Sequence, residues 1–377
     1  MKVAKKNIQI ATVYERDFYD EFKSYPMDLL RWLRISESLA NLGYKVDMIV
    51  NTKHRSVGAN PNLRYFPYSM VDWKRYDVIK TLFHKGFEAV FCEGKDDHPF
   101  IISKLGSVVG NNDATEGVHF FGEERKYLYE MQKQINQKSR YITILTEPSR
   151  LLWESEFGQN GNILMVPTGV DREIPPPCNN PYKEFGEKIA AYIGFLYIDT
   201  QREVNLLWQD RLNILGSLLK KKGIRLCFIG VGKVDKLDHN VVTYLGAVEN
   251  DRMWDYQYFA DVGIALGQGK VQHNESSKIY YYLRTGLPVV SENSIPNNYL
   301  IEEANLGFIA DYKDNQMMAD MIESAIYQNW QKEEAIQYIL KNHTWDKRVQ
   351  AYDALIRKEF DLEVEESRLG KPFLYQK

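Results

Sequence analysis

The stretch that decides the fold is His273 to Glu292, HNESSKIYYYLRTGLPVVSE. It reads as three consecutive pieces. The polar run Asn274-Glu275-Ser276-Ser277 is suited to start a helix, because short oxygen-bearing side chains accept bonds from the unpaired N–H groups of a first turn. A helix-length segment follows from Lys278 to about Arg284. Gly286 then stops it, and Pro288-Val289-Val290 begins a short apolar strand. The start of a helix carries partial positive charge and binds anions. Lys278 falls in that first turn, where a cation opposes the helix dipole. A lysine tolerated there points to a negatively charged ligand; a solvated surface lysine is the competing reading.

Working outward, the rest of the second half has the same rhythm. Strands are expected at 189–193, 224–229, 241–245, 262–266 and 307–310. Helices are expected at 204–221, 252–259, 301–303, 316–327, 333–341 and 345–360. Strand, helix and strand in alternation build a parallel sheet covered by helices. The first half repeats the pattern. A strand at 7–13, a helix at 28–42 ended by Gly43, and a strand at 45–50 form one βαβ unit. Beyond it, residues 78–85 read as helix, 87–92 as strand, 99–105 as helix and 107–110 as strand. A helix at 123–137, strand at 141–146, helix at 148–157 and strand at 163–166 complete that half. Between the halves, REIPPPCNNPYKEFG (Arg172 to Gly186) is too rich in proline for regular structure. The expected organisation is therefore a domain over 1–171, a hinge over 172–186, a second domain over 187–345, and a helix and tail over 346–377. Both domains are α/β, and a cleft lies between them.

Composition narrows the classes. The 377 residues suffice for two domains. Hydrophobic residues make up 44% and charged residues 26%, an ordinary globular mixture. A net charge of −3 argues against nucleic acid as a partner. Cys92, Cys178 and Cys227 are widely spaced and odd in number, which suits a reducing compartment and excludes a clustered zinc site. Neither a membrane-spanning run nor a signal peptide is evident, so a cytoplasmic protein is expected. No G-x-G-x-x-G follows the first strand, which argues against a dinucleotide oxidoreductase.

At this point the chain resembles the GT-B glycosyltransferases, especially retaining family 4 and related bacterial exopolysaccharide transferases. Four landmarks carry the resemblance in order, and the closing segment is also typical. RISESLANLGYKVDMIV (34–50) looks like the first helix and second strand of the acceptor domain. ILMVPTGVD (163–171) looks like the segment that ends that domain. LCFIGVG (226–232) and VTYLGAVENDRMWDYQYFADVGIAL (242–266) look like its donor-domain strands. SSKIYYYLRTGLPVVSE looks like its donor-binding helix and strand, and HTWDKRVQAYDALI (343–356) like its closing helix. Two departures stand out. Family 4 carries two glutamates around the donor helix; here His273 and Tyr281 occupy those places. The usual Gly-Arg and Lys-Gly after the first strand of the second domain are replaced by Gly194-Phe195-Leu196-Tyr197, with Arg202 further on.

The resemblance implies two Rossmann-like domains, a nucleotide-diphosphate sugar as donor, no metal cofactor, and a saccharide or lipid-linked acceptor. It also implies work in cell-surface polysaccharide synthesis, with peripheral contact at the inner face of a membrane. Such transfer needs a stabilised leaving diphosphate, a positioned acceptor hydroxyl and, where configuration inverts, a base. The donor candidates are Glu275, Ser276, Ser277 and Lys278, with Arg202 as a second cation. Gly194 and Gly232 allow close backbone approach, or are ordinary strand-end turns. Tyr281 bonds a ribose hydroxyl, or packs in the core. Asp113 and His119, in the loop after a first-domain strand, are the base candidates; turn residues are the alternative. Glu15 and Arg16 are weaker acceptor contacts. His98, beside Asp96 and Asp97, lacks the ligand spacing of a metal site. Two other functions stay open: a non-catalytic sugar-nucleotide-binding protein of this fold, and a sugar-nucleotide epimerase.

Overall fold

The structure is a computed structural model. It describes residues 8–14, 27–50, 56–57, 60–92, 100–111, 122–159, 161–194, 196, 202–249 and 252–362. The first half comprises β1 (Gln9–Val13), α1 (Met27–Asn41), β2 (Lys45–Val50), β3 (Ser56–Val57), β4 (Leu63–Pro67), β5 (Val78–Leu82), α2 (Phe83–Cys92), β6 (Ile101–Lys104), α3 (Gly122–Lys138), β7 (Tyr141–Ile144), α4 (Glu147–Phe157) and β8 (Ile163–Met165). The second half comprises β9 (Lys188–Ile193), α5 (Arg202–Lys221), β10 (Ile224–Ile229), β11 (Val242–Gly246), α6 (Met253–Tyr258), β12 (Val262–Ala265), α7 (Ser277–Arg284), β13 (Val289–Glu292), α8 (Tyr299–Glu303), β14 (Gly307–Ala310), α9 (Asn315–Tyr327), α10 (Lys332–Asn342) and α11 (Trp345–Glu359).

The strands form two sheets. The first has the order β3-β4-β2-β1-β5-β6-β7-β8, and the second β11-β10-β9-β12-β13-β14. Among the described residues, every pairing is parallel except β3 with β4. Parallel sheets are covered on both faces, which is why their strands are apolar throughout rather than alternating. In β9, Ile189, Ala191 and Ile193 enter one core while Ala190 and Tyr192 enter another. Strand order reverses between β1 and β5 in the first sheet and between β9 and β12 in the second. At such reversals a crevice opens beyond the carboxyl ends of the strands, where α/β folds hold ligands.

Three short segments differ from expectation. Residues 78–92 are inverted: Val78–Leu82 is a strand and Phe83–Cys92 a helix. Phe87 and Val90 are fully buried three residues apart on that helix, so its apolar run follows one helical face. Residues Ile101–Lys104 are strand rather than helix, and Ser107 to Gly110 is loop.

The proline-rich stretch lies against the second domain. The backbone N–H groups of Cys178 and Asn179 donate to Asp255, and buried Tyr182 donates to the Tyr256 carbonyl at 2.9 Å. The closing helix α11 crosses back to the first domain. Trp345, Val349, Tyr352, Leu355 and Ile356 share one core with β1, β2 and α1. Among the described residues, no helix is long and apolar enough to cross a membrane.

Candidate functional site

The segment before α7 joins the two domains. The His273 carbonyl accepts bonds from Thr146 and, at 2.7 Å, from Ser149. Asn274 donates to Ser107 at 2.7 Å. Thr168 donates to Glu275 from its backbone N–H, at 2.6 Å, and from its hydroxyl. Thus three consecutive residues touch the carboxyl ends of β6, β7 and β8. Tyr280 donates to the other Glu275 oxygen at 3.0 Å, and the Arg31 guanidinium lies 3.7 Å from the carboxylate. The Glu275 side chain is only 2% exposed. Two further lysines lie in this region. Lys80 sits over the Tyr352 ring at 4.9 Å, and Lys104 donates to the Leu105 carbonyl at 2.5 Å. Burial, helped by Arg31, pushes Lys80 down to about 7. Burial also pulls Lys104 well below the usual lysine range, with Arg31 and Lys80 acting the same way and Glu275 opposing them.

Helix α7 begins two residues after Glu275. Ser276 stands at its N-cap but makes no side-chain cap bond. Instead the Asn297 amide grips the Ser276 backbone, accepting from its N–H at 2.8 Å and donating to its carbonyl at 2.9 Å. Ser277 is the first helical residue and Lys278 the second. The Lys278 ammonium lies 5.0 Å from the Tyr192 ring centroid. It also lies against Gly194: a methyl group built there would fall 2.6 Å from Lys278 Cε and 2.9 Å from Nζ. Gly194 therefore makes room for the lysine. Among the described residues, no carboxylate lies within ion-pair distance of Lys278. Burial pushes this lysine down to about 8, a position that an anion beside it would reverse. This corner is the β9/β12 reversal, and the first-turn amides of α7 add donors to it.

The remaining candidates separate. Gly232 has φ +151 and faces Leu196, whose Cβ would lie 2.5 Å from an added methyl group. Tyr281 is buried in the second-domain core, 5.7 Å from Trp254. The neighbouring Tyr282 accepts from the Ile193 N–H at 2.9 Å and so fastens α7 to β9. Arg284, fully buried at the other end of α7, donates to the Glu173 carbonyl. Arg202 is the first residue of α5, and its side chain lies outside the described residues. Asp113, His119, Glu15, Arg16 and His98 lie outside them as well.

Sequence reasoning missed a buried network beside this corner. Glu292, the last residue of β13, accepts from the N–H groups of Gly267 at 2.6 Å and Lys313 at 2.7 Å. Arg211 of α5 donates to Glu292 and, at 2.9 Å, to the Gly267 carbonyl. The available signal was a glutamate closing the apolar run VVSE. It also missed Arg31, Lys80 and Lys104, whose signal was charge inside short apolar runs.

No protein-family model matches the sequence, and neither does any curated protein. Solved structures do match in shape. The chain is similar to sucrose-phosphate synthase from Thermosynechococcus elongatus, with a TM-score of 0.69 and 12% identity over 94% of this chain and 100% of that one. It is similar to HepE of Anabaena in complex with UDP-glucose, with a TM-score of 0.66 and 13% identity over 93% of this chain and 100% of that one. It is also similar to WaaG, a glycosyltransferase involved in lipopolysaccharide biosynthesis, with a TM-score of 0.61 and 14% identity over 92% and 99% of the two chains. Two mostly parallel sheets, joined through the segment before α7 and matched along nearly their whole length, give this chain the GT-B fold.

Proposed function

We propose that this protein transfers a sugar from a nucleoside-diphosphate sugar to a hydroxyl of a saccharide or lipid-linked acceptor, in the synthesis of a cell-surface polysaccharide. One observation carries the reading. A half-buried lysine, without a carboxylate partner among the described residues, sits at the first turn of α7 where the strand order of the second sheet reverses. A diphosphate supplies the charge this corner lacks. The HepE structures that this chain resembles hold UDP, UDP-glucose, and UDP with glucose, which makes a uridine diphosphate the first donor class to try.

In the reaction the acceptor oxygen bonds to the anomeric carbon as the bond from that carbon to the diphosphate oxygen breaks. The electron pair goes to the leaving diphosphate. Lys278 and the α7 amides stabilise it as charge builds, so no metal is required in this reading. The proton of the acceptor hydroxyl is assigned to a base in the first domain, with Asp113 and His119 as the candidates. Glu275, through Thr168, ties the donor helix to the first domain. Peripheral contact with the inner membrane face is part of the reading where the acceptor is lipid-linked.

The test is a thermal-shift screen over nucleoside diphosphates and their sugars, followed by transfer assays on an acceptor panel. Wild-type turnover by a folded Lys278→Ala variant would sink the assignment. A second reading, a sugar-nucleotide-binding protein without transferase activity, is favoured by Tyr281 lying in the core and Glu275 lying in the domain junction. Donor binding with no product on any acceptor supports it. Release of an isomerised free sugar without acceptor would point to the epimerase.

A further inference from the structure

The stretch 267–276 is a strap between the domains. Its middle, His273 to Glu275, is bonded to Thr146, Ser149, Ser107 and Thr168 of the first domain. Both of its ends are held by one short segment of the second domain, residues 292–298. At the front end, Glu292 accepts from the Gly267 N–H, and Arg211 bonds to both residues. At the far end, the Asn297 amide accepts from the Ser276 N–H at 2.8 Å and donates to the Ser276 carbonyl at 2.9 Å. The two clamps are tied to each other. Asn298 accepts from the Ser291 hydroxyl at 2.6 Å and donates to the Glu292 carbonyl. Glu292, Asn297 and Asn298 are all buried, Asn297 to 2% exposure.

The clamp at Ser276 differs from an ordinary helix cap. The N–H groups of a helix's first turn have no partner within the helix, and a cap side chain normally occupies one of them. In this chain Thr146 does so at the start of α4, accepting from Ser149, and Asp314 at the start of α9, accepting from Met317. Helices α6, α8, α10 and α11 carry an acidic residue in the first turn instead. Helix α7 has neither a cap bond nor an acidic first turn. Asn297 grips the peptide in front of that turn and leaves the turn's own N–H groups to an outside anion. It also stands between α7 and the strap, so a pull from the first domain meets Asn297 before it reaches Lys278.

We propose that Asn297 is a positioning residue for the donor diphosphate, fixing the start of α7 without occupying its donors. The inference rests on the donor-site reading and adds the residue that orients that site. The side chain is suited to the task. An amide places an acceptor beside a donor, matching the N–H and carbonyl of Ser276. A carboxylate would accept from the N–H but repel both the carbonyl and the diphosphate.

Calorimetry on the full chain tests it. The tightest binder among UDP, ADP, GDP and dTDP is compared with its own nucleoside, and the ratio of the two affinities isolates the diphosphate. In Asn297→Ala this ratio should fall about tenfold or more, the worth of a charge-assisted bond, while the nucleoside binds as in wild type. General loosening of the domain would weaken both ligands alike. Asn297→Asp separates hydrogen bonding from shape. A neutral carboxyl accepts and donates as the amide does, and burial beside a carbonyl favours that form. Relative to wild type at the same pH, its ratio should be lowest near pH ~8 and recover towards pH ~5, as the carboxyl takes up its proton. If Asn297→Ala does not fold, Asn297→Asp carries the test. A wild-type ratio in Asn297→Ala, or a reduced ratio in Asn297→Asp that does not recover at low pH, overturns the inference. Loss of the ratio in Lys278→Met in the same assay would then leave the donor site standing without Asn297. A wild-type protein that binds every diphosphate no more tightly than its nucleoside removes the donor reading and this inference together.

Discussion

Lys278 keeps its charge against the pull of its surroundings, and that conflict can be titrated. Burial holds its folded-state value near 8, below the unfolded value of ~10.4. The folded chain therefore gives up this proton first. Stability attributable to Lys278 rises as pH climbs from about 8 towards 10, and Lys278→Met should remove that rise. Binding has the opposite sign. UDP affinity should hold up to about pH 8 and then fall as the ammonium is lost. In Lys278→Met it should be pH-independent over that range and about tenfold to a hundredfold lower at neutral pH, the worth of a charge-assisted bond. Calorimetry across the range reads both. Gly194→Ala tests the same geometry from the other side. The added methyl group meets the flexible end of the lysine rather than backbone. The melting temperature should barely move, while UDP affinity falls towards that of Lys278→Met.

At the level of elements, α7 spends its three tyrosines differently. Tyr280 bonds the domain-joining carboxylate, Tyr281 packs beside Trp254, and Tyr282 accepts from β9. Tyr282→Phe leaves the Ile193 N–H without its buried acceptor and should cost about 1–3 kcal/mol in urea unfolding. The run Tyr-Tyr-Tyr does not announce this division, because each role depends on a partner distant in sequence. The helix itself was legible, since a polar start, a Gly stop and a Pro-Val-Val strand are local signals. Lys278 was legible for the same reason: its place in the first turn is local. Residues 78–105 were not. A six-residue apolar run such as FEAVFC suits a buried strand or one face of a helix equally. The left-handed turn at Phe83, which starts α2, has no glycine to mark it. Glu275 was read as a donor contact, and its domain-joining partner Thr168 stands 107 residues away.

For the whole molecule, the largest departure from the order of the sequence is α11. It buries five large apolar side chains in the first domain, at about 1.5–3 kcal/mol each. Tyr44 donates to Asp353 at 2.5 Å, and Tyr141 donates to Glu359. A chain ending after Asn342 should leave the first domain exposed and readily cut by protease, while the second sheet resists. Limited proteolysis followed by mass mapping would show it; equal resistance of both halves would contradict the packing. The helix also sets an order in time. Synthesis proceeds from the amino end, and domains commonly fold in the order they emerge. Here the earliest segments must wait for the latest, because a wall of the core around β1 is made of residues 345–356. The second domain, later in sequence, can complete its own core sooner. During translation the first domain is an unfinished shell, and it closes only once α11 has left the ribosome.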